Sequence, residues 1–231
     1  MVHFLIIDTS SEKALVGISK GELIIAERQN AETQSHASFV QVAIEECMHE
    51  TGLNFTDISA IVVTMGPGSY TGLRVGLASA KGIAFALQKP LIGLSTLELL
   101  ATAAIQTEMG KNLPKEGHIF SMIDAKRMEV FGALYTPDLV LVEKEQPILL
   151  SITFMQQWTK TPLLCIGSGA AKTQSSFETE NVHYLTENYT LIHCLPIANK
   201  KWALKQFEDL AYSSPAYLKD FYQKTAEPKK M

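Results

Sequence analysis

The stretch that decides the fold is Gly66-Pro67-Gly68-Ser69-Tyr70-Thr71-Gly72-Leu73-Arg74-Val75-Gly76. It follows a strand-like segment that ends at Thr64 and opens a predicted helix that runs to Leu87. Small residues recur every four positions along one face of this helix, at Gly72, Gly76, Ala80 and Ala84. Because an interior glycine costs a helix about 1 kcal/mol relative to alanine, this face is expected to lie against another backbone. That backbone belongs either to the same chain, which the spacing alone favours, or to the helix of a partner.

The turn before this helix is a candidate anion site. Backbone N–H groups of Gly66, Gly68 and Ser69 would lie at the positive end of the helix, where phosphate groups often bind. The pattern matches neither the Walker A loop nor GxGxxG, so it is not a standard nucleotide fingerprint. The alternative is a turn whose glycines permit positive φ and close packing.

Asp8, Thr9 and Ser10 follow the first predicted strand and form a second candidate contact for a nucleotide. A carboxylate at a strand end can position a metal-bound phosphate. It can equally accept hydrogen bonds from nearby backbone N–H groups and close a turn. From the residues alone, the turn is the favoured reading.

The segments around these motifs predict an α/β chain with mixed sheets. Strands are predicted at 2–7, 14–19, 23–27, 57–64 and 90–94, and helices at 35–51 and 95–107. The first three strands are joined by short turns, which indicates an antiparallel meander. A helix between this meander and the next strand then favours a mixed sheet.

A second set of elements follows the polar loop at 110–117, which is the best candidate for a boundary. Strands are predicted at 118–123, 128–135, 139–143 and 163–166, and helices at 154–158 and 198–212. Residues 227–231 are expected to form a frayed tail. The Asp124 carboxylate ends the 118–123 strand, where an Asx-turn is sufficient to explain it.

The composition excludes several classes of protein. Of 231 residues, 46% are hydrophobic and 19% are charged, so the chain can bury a core and is not disordered. The net charge of −4 disfavours a protein that binds nucleic acid by itself. A local basic patch or a basic partner could still provide such binding. No signal peptide and no apolar span of about 20 residues are found, which predicts a soluble, cytoplasmic protein.

No metal or nucleophile motif is visible in the sequence. The cysteines Cys47, Cys165 and Cys194 are scattered, which argues against a disulfide framework and a CxxC zinc site. None of the six histidines forms an i, i+4 pair, and there is no GxSxG elbow.

Five segments in this order resemble the bacterial TsaB (YeaZ) family. They are Ile7–Ser10, Gly66–Gly76, Gly93–Glu98, Ile123–Val130 and Pro215–Leu218. The resemblance covers nearly the whole chain, and its most specific part is Gly66–Gly76. It implies an actin/hexokinase-like (ASKHA) ATPase fold with two lobes, each a mixed β-sheet flanked by helices. The lobes are then expected at 1–112 and 113–212, with the C-terminal segment at about 213–226 completing the first.

The resemblance also implies a role in making threonylcarbamoyladenosine in tRNA, next to the anticodon. In the family, TsaB is a non-catalytic scaffold that pairs with the catalytic subunit TsaD, and the ATPase TsaE joins the complex. The chain is thus expected to have no catalytic activity and no cofactor of its own, and to contact ATP or ADP at most at the partner interface. It is expected to bind tRNA only within the complex and to form a homodimer when alone. The alternative is an independent ATP-binding enzyme of the same fold: a kinase, an ATPase or a glycoprotease-like peptidase.

Two departures from the family's catalytic pattern support the non-catalytic role. TsaD carries two metal-binding histidines four residues apart, and the matching positions here are Thr96 and Leu100. Threonine and leucine cannot replace two imidazole ligands. The turn Gly167-Ser168-Gly169 also lacks the aspartate that many relatives have there, which weakens the case for independent ATP binding.

In the family, the glycine-rich helix and the amphipathic helix before it form the contact with TsaD. The expected interface residues are Phe39, Val40, Ala43, Cys47, Leu73, Gly76, Leu77 and Ala80. A bulky substitution such as Gly76→Leu is then expected to abolish pairing and leave the monomer folded.

Overall fold

Two five-stranded mixed sheets form the lobes of the computed structural model, which describes residues 1–30, 35–151, 156–158, 160–174, 179–186 and 188–219. The first sheet contains β1 (His3–Asp8), β2 (Leu15–Lys20), β3 (Leu23–Gln29), β4 (Ala60–Gly66) and β5 (Leu91–Ser95). Its order is β3-β2-β1-β4-β5, with the first three strands antiparallel and β4 and β5 parallel to β1. The carboxyl ends of β1, β4 and β5 therefore meet at one edge of the sheet.

The second sheet repeats this plan. It contains β6 (His118–Asp124), β7 (Glu129–Tyr135), β8 (Leu141–Leu149), β9 (Leu163–Ile166) and β10 (Val182–Tyr184), in the order β10-β9-β6-β7-β8. β6, β7 and β8 are antiparallel, whereas β9 and β10 run parallel to β6. A duplicated meander followed by parallel strands is the actin/hexokinase-like arrangement, so the predicted fold class is confirmed.

The helices begin and end where capping residues occur. They are α1 (His36–Thr51), α2 (Tyr70–Leu87), α3 (Thr96–Gln106), α4 (Glu108–Lys111), α5 (Ala170–Gln174) and α6 (Leu191–Ala203). The Ser35, Ser69 and Ser95 side chains accept hydrogen bonds from the first turns of α1, α2 and α3. Gly52 ends α1 in the left-handed conformation, at φ 66°.

Three hydrophobic layers pack on the sheets. α1 and α2 cover the outer face of the first sheet through a core that includes Phe39, Ile44 and Leu77. α3 and α6 lie between the two sheets and share one continuous core with both, which includes Phe4, Leu100 and Ile166. A smaller layer that includes Phe120 and Ile148 covers the other face of the second sheet. No helix in the described ranges is long and apolar enough to cross a membrane.

The structure corrects three element boundaries. The strand predicted from residue 57 begins at Ala60, because Phe55–Asp57 form a 3-10 turn, and β8 continues to Leu149. The helix predicted at 198–212 is displaced: α6 begins at Leu191, runs through Pro196 and ends at Ala203, and Lys205 follows at φ 54°, so 198–203 are helical and 204–212 are not. The tail at 227–231 and part of the 154–158 segment lie outside the described residues.

Candidate functional site

Asp8 is the centre of a buried hydrogen-bond network at the end of β1. Its side chain is 1% exposed. One carboxylate oxygen accepts from the Ser10 N–H at 2.9 Å and from Thr64 Oγ1 at 2.7 Å, and the other accepts from the Tyr189 hydroxyl at 2.7 Å. Burial, and next the Asp8 charge, raise the pKa of Tyr189 well above its usual value, so the phenol stays a donor. Three donors within the chain thus give Asp8 a structural role, and its contact with a nucleotide stays a prediction.

The start of α2 is packed against the turn after β1. The Ser69 N–H donates to the Ser10 carbonyl at 2.7 Å, and the Ser69 Oγ accepts from the Gly72 N–H at 3.3 Å. A Cβ on Gly68 would lie 2.2 Å from the Ser10 carbonyl oxygen, and Gly66 has a φ of 107°. These contacts explain both glycines by close packing and backbone conformation. Anion or nucleotide contact at Gly66, Gly68 and Ser69 stays a prediction, as it does for Thr9 and Ser10.

The glycine ridge of α2 faces the same chain. A Cβ on Gly72 would lie 2.1 Å from the Thr9 carbonyl oxygen, and one on Gly76 would lie 2.2 Å from Thr9 Oγ1. Thr9 itself is 0% exposed. The spacing argument that favoured a backbone of the same chain is therefore right.

The residues predicted to contact a partner are buried inside the monomer, where they pack against other parts of the same chain. Each of the seven with a side chain is at most 5% exposed, and Gly76 is buried. They form the packing between α1, α2 and the first sheet: Phe39, Val40, Ala43, Cys47, Leu73, Gly76, Leu77 and Ala80. Apolar periodicity marks the core face of a surface helix, and these residues form that face of α1 and α2.

The opposite face of the same two helices is exposed. On α1 it carries large polar residues beside Val42, namely Gln41, Glu45, Glu46, His49 and Glu50, whereas the exposed side of α2 is mostly small or apolar from Ala78 to Ala86. Val42 on α1 is 50% exposed and Phe85 on α2 is 76% exposed. Ala78, Gly82 and Ala86 are also exposed and recur every four residues. A Cβ on Gly82 would meet no atom within 4 Å. We refer to Val42, Ala78, Gly82, Phe85 and Ala86 as the α1/α2 outer face.

The segment after α6 contacts the start of the edge strand β5 and then reaches the carboxyl end of β4. The Glu208 N–H donates to the Leu91 carbonyl at 2.8 Å, and the Ala216 N–H donates to the Met65 carbonyl at 2.8 Å. Lys81 Nζ donates to the Ser213 carbonyl at 3.0 Å. The segment thus lies directly beside Gly66, at the place where a ligand would approach the turn before α2.

A second polar cluster joins the two lobes. Ser95 Oγ, at the end of β5, donates to the Glu145 carboxylate on β8. Burial raises the pKa of Glu145, and the Glu98 carboxylate adds to the rise, whereas Ser95 and Lys201 oppose it. Sequence reasoning missed Glu145, because nothing local to β8 indicates that it faces the first lobe.

The turn after β6 has a strained backbone that Lys172 holds in place. Lys126 and Arg127 have φ values of 64° and 51°, a left-handed conformation that costs non-glycine residues about 1–2 kcal/mol each. Lys172 Nζ contacts the Asp124 carboxylate at 2.5 Å and donates to the Arg127 and Glu129 carbonyls at 2.7 and 3.2 Å. The hydrogen bond from Lys172 lowers the pKa of Asp124. The Asp124 side chain also accepts from the Lys126 N–H at 2.6 Å, which is the expected Asx-turn.

The comparisons with known proteins agree with this architecture. The family model for TsaD, tRNA N6-adenosine threonylcarbamoyltransferase, matches residues 24–229. The chain belongs to the TsaD family.

The chain is similar to two relatives that are named tRNA threonylcarbamoyladenosine biosynthesis protein TsaB. The Bacillus subtilis protein is 32% identical over 143 residues, which cover 62% of this chain and 59% of the relative. The Escherichia coli protein is 30% identical over 139 residues, which cover 59% of this chain and 56% of the relative. The chain thus spans somewhat more than half the length of these curated relatives. The resemblance to TsaB is confirmed.

A solved structure supports the fold. YeaZ from Pseudomonas aeruginosa is 23% identical, with a TM-score of 0.78 over 94% of this chain and 100% of that chain. At this identity, the likeness shows the fold alone.

Thr96 and Leu100, which the resemblance implies match the TsaD metal histidines, are both buried, and Leu100 belongs to the core shared by the two lobes. Thr96 is 3% exposed and Leu100 is 2% exposed. A Cβ on Gly167 would lie 2.8 Å from Leu100 Cδ1, so the second position fills the space beside the glycine turn. Within the described ranges, no group of three or more His, Cys, Asp or Glu side chains could hold a metal ion.

Proposed function

We propose that this chain is a non-catalytic subunit that pairs with a TsaD-type catalytic subunit to make threonylcarbamoyladenosine in tRNA. The observation that carries the proposal is the replacement of both metal-ligand positions by Thr96 and Leu100, two side chains that pack in the core. A buried leucine cannot ligate a metal, so this chain would depend on its partner for that chemistry. The TsaB names of its relatives support the same pathway.

In this proposal, the chain needs no cofactor of its own. Asp8 accepts three hydrogen bonds within the chain, and the start of α2 is occupied by Ser10 and Ser69. ATP or ADP would bind at the interface with the partner. A TsaE-type ATPase would join the complex, and the chain would contact tRNA only there. Because tRNA is the substrate of the complex, the proposed role is in the cytoplasm.

The α1/α2 outer face is the proposed pairing surface. Its small residues Ala78, Gly82 and Ala86 would let a partner helix approach closely, as ridge-into-groove packing requires. The exposed Val42 and Phe85 side chains would supply apolar area on either side. In the absence of TsaD, a second copy would occupy the same face and form a homodimer.

Pairing can be tested with matched substitutions at two exposed helix positions, one on the α1/α2 outer face and one outside it. Gly82→Leu places a side chain in open space and should abolish co-elution with the cognate TsaD-type protein in size-exclusion chromatography, without loss of thermal stability. Ala203→Leu, at the exposed end of α6, is the control and should leave pairing intact. Normal pairing by the Gly82→Leu variant would show that the interface is not the α1/α2 outer face. Failure of the wild-type chain to pair, together with ATP turnover by the chain alone, would refute the proposed function.

A further inference from the structure

Four exposed cationic side chains lie together where the C-terminal segment passes from the first lobe to the second. They are Arg74 on α2, Lys126 and Arg127 in the turn after β6, and Lys219. Tyr217 and Lys219 connect them, since the Tyr217 hydroxyl accepts from Arg74 Nε at 2.8 Å and Lys219 forms an ion pair with Glu129. Tyr217 and Lys219 are two residues apart, as are Arg127 and Glu129, and two residues of extended chain span at most about 7 Å. These contacts therefore connect Arg74 to the turn after β6.

Aromatic rings are part of the same surface. The Arg74 guanidinium lies 3.9 Å above the centre of the Tyr70 ring and 5.7 Å from that of Tyr217. The two rings are 5.3 Å apart, and Tyr217 is 43% exposed. Cationic side chains interleaved with tyrosine rings are typical of surfaces that bind the phosphates and bases of RNA.

The two cations of the β6 turn are held outward at a cost in backbone strain. Lys126 and Arg127 are consecutive left-handed residues, and both side chains are exposed. Lys172 stabilises this backbone from inside the turn and neutralises Asp124. Strained backbone of this kind is concentrated at functional sites. Among the described residues, Glu129 pairs with Lys219, and Asp124 pairs with Lys172 and not with a cation of this surface.

We propose that Arg74, Lys126, Arg127 and Lys219 form a surface that binds the phosphate backbone of tRNA, which in the cell would occur in the complex with TsaD. This inference rests on the proposed function for the identity of the RNA. A local positive surface resolves the difficulty that the chain as a whole has a net charge of −4. The ligand chemistry is the polyanionic backbone, with Tyr217 available to a neighbouring base.

The test uses the full chain with Lys126→Asn and Arg127→Asn combined, because asparagine tolerates the left-handed conformation and removes both charges. The control is Lys115→Asn with Lys205→Asn. Lys115 precedes the opposite end of β6, and Lys205 is itself left-handed at φ 54° and lies beyond α6. Binding of a tRNA that reads a codon beginning with A is measured against salt concentration, for the chain alone and with TsaD. Pairing with TsaD is measured separately.

The Lys126/Arg127 variant should bind tRNA about 25-fold more weakly at 0.1 M salt and show a salt slope smaller by about 1.4, because each phosphate contact contributes about 0.7. The control should match the wild type, and both variants should still pair with TsaD. Unchanged tRNA binding would overturn the proposal, as would a loss of TsaD pairing, which would make this surface a protein contact. Weaker tRNA binding by the Lys126/Arg127 variant, together with a wild-type chain that binds tRNA but never pairs with TsaD, would support the surface and refute the proposed function.

Discussion

Substituting Tyr189→Phe removes one hydroxyl group from the network around Asp8. That hydroxyl donates to the Asp8 carboxylate at 2.7 Å and lies 2.7 Å from Ser10 Oγ, and all three residues are buried. A hydrogen bond to a charged group contributes about 1.5–3 kcal/mol to the free energy of unfolding. Since a domain of this size shifts by about 2–4 °C per kcal/mol, the melting temperature should fall by about 3–12 °C.

Urea unfolding followed by circular dichroism measures the change in the free energy of unfolding, and thermal unfolding measures the change in melting temperature. Tyr212→Phe is the control, because Tyr212 is 87% exposed and should change the free energy of unfolding by less than about 0.5 kcal/mol. Thr64→Val removes the second side-chain donor to Asp8 and should cost a similar amount. Because both bonds share one carboxylate, the double variant should be non-additive by at least about 0.5 kcal/mol.

The reasoning would be refuted by a Tyr189→Phe variant as stable as the Tyr212→Phe control. Such a result would mean that Asp8 does not depend on its intrachain donors. If Asp8→Asn then weakened ATP binding and left stability unchanged, the carboxylate would face a ligand instead of the turn.

Three further outcomes follow from the same structure. Gly76→Ala should destabilise the chain, because its Cβ would lie 2.2 Å from Thr9 Oγ1. Gly82→Ala, whose Cβ would meet no atom within 4 Å, should stabilise the chain by up to about 1 kcal/mol. Equal effects of the two substitutions in thermal unfolding would contradict this packing. Glu145→Gln should stabilise the chain at pH 8 and have little effect near pH 4. The raised pKa of the Glu145 carboxyl gives stability that is present at low pH and lost as pH rises through the folded-state pKa. A gain in stability that is the same at both pH values in urea titrations would show that the Glu145 charge is not its cause. All three cysteines are buried, and burial raises the pKa of Cys47 to about 11, so a thiol reagent should label none of them rapidly before denaturant is added.

The sequence was sufficient for the elements whose signals are local. Ser35 and Gly52 mark the ends of α1 because capping depends on the hydrogen bonds of a single turn. The meander β1-β2-β3 follows from short turns between apolar segments. α6 was misplaced, because the helix begins at Leu191, seven residues before the predicted start at 198, and contains Pro196.

The site could be predicted only in part, because its contacts join distant parts of the chain. The anchor of Asp8 is Tyr189, which is 181 positions away, and no local pattern connects the two. The glycine ridge correctly indicated a close backbone approach, yet the same apolar periodicity gave a buried set of interface residues. Burial distinguishes Gly76 from Gly82, and only the folded structure supplies it.

The most direct measurement of the central claim is threonylcarbamoyl transfer to tRNA by the cognate TsaD-type and TsaE-type proteins and the donor-forming enzyme, with this chain present or omitted. The account predicts product only when the chain is present, and no ATP turnover by the chain alone. Equal product without the chain, together with ATP turnover by the isolated chain, would contradict the role of a non-catalytic subunit.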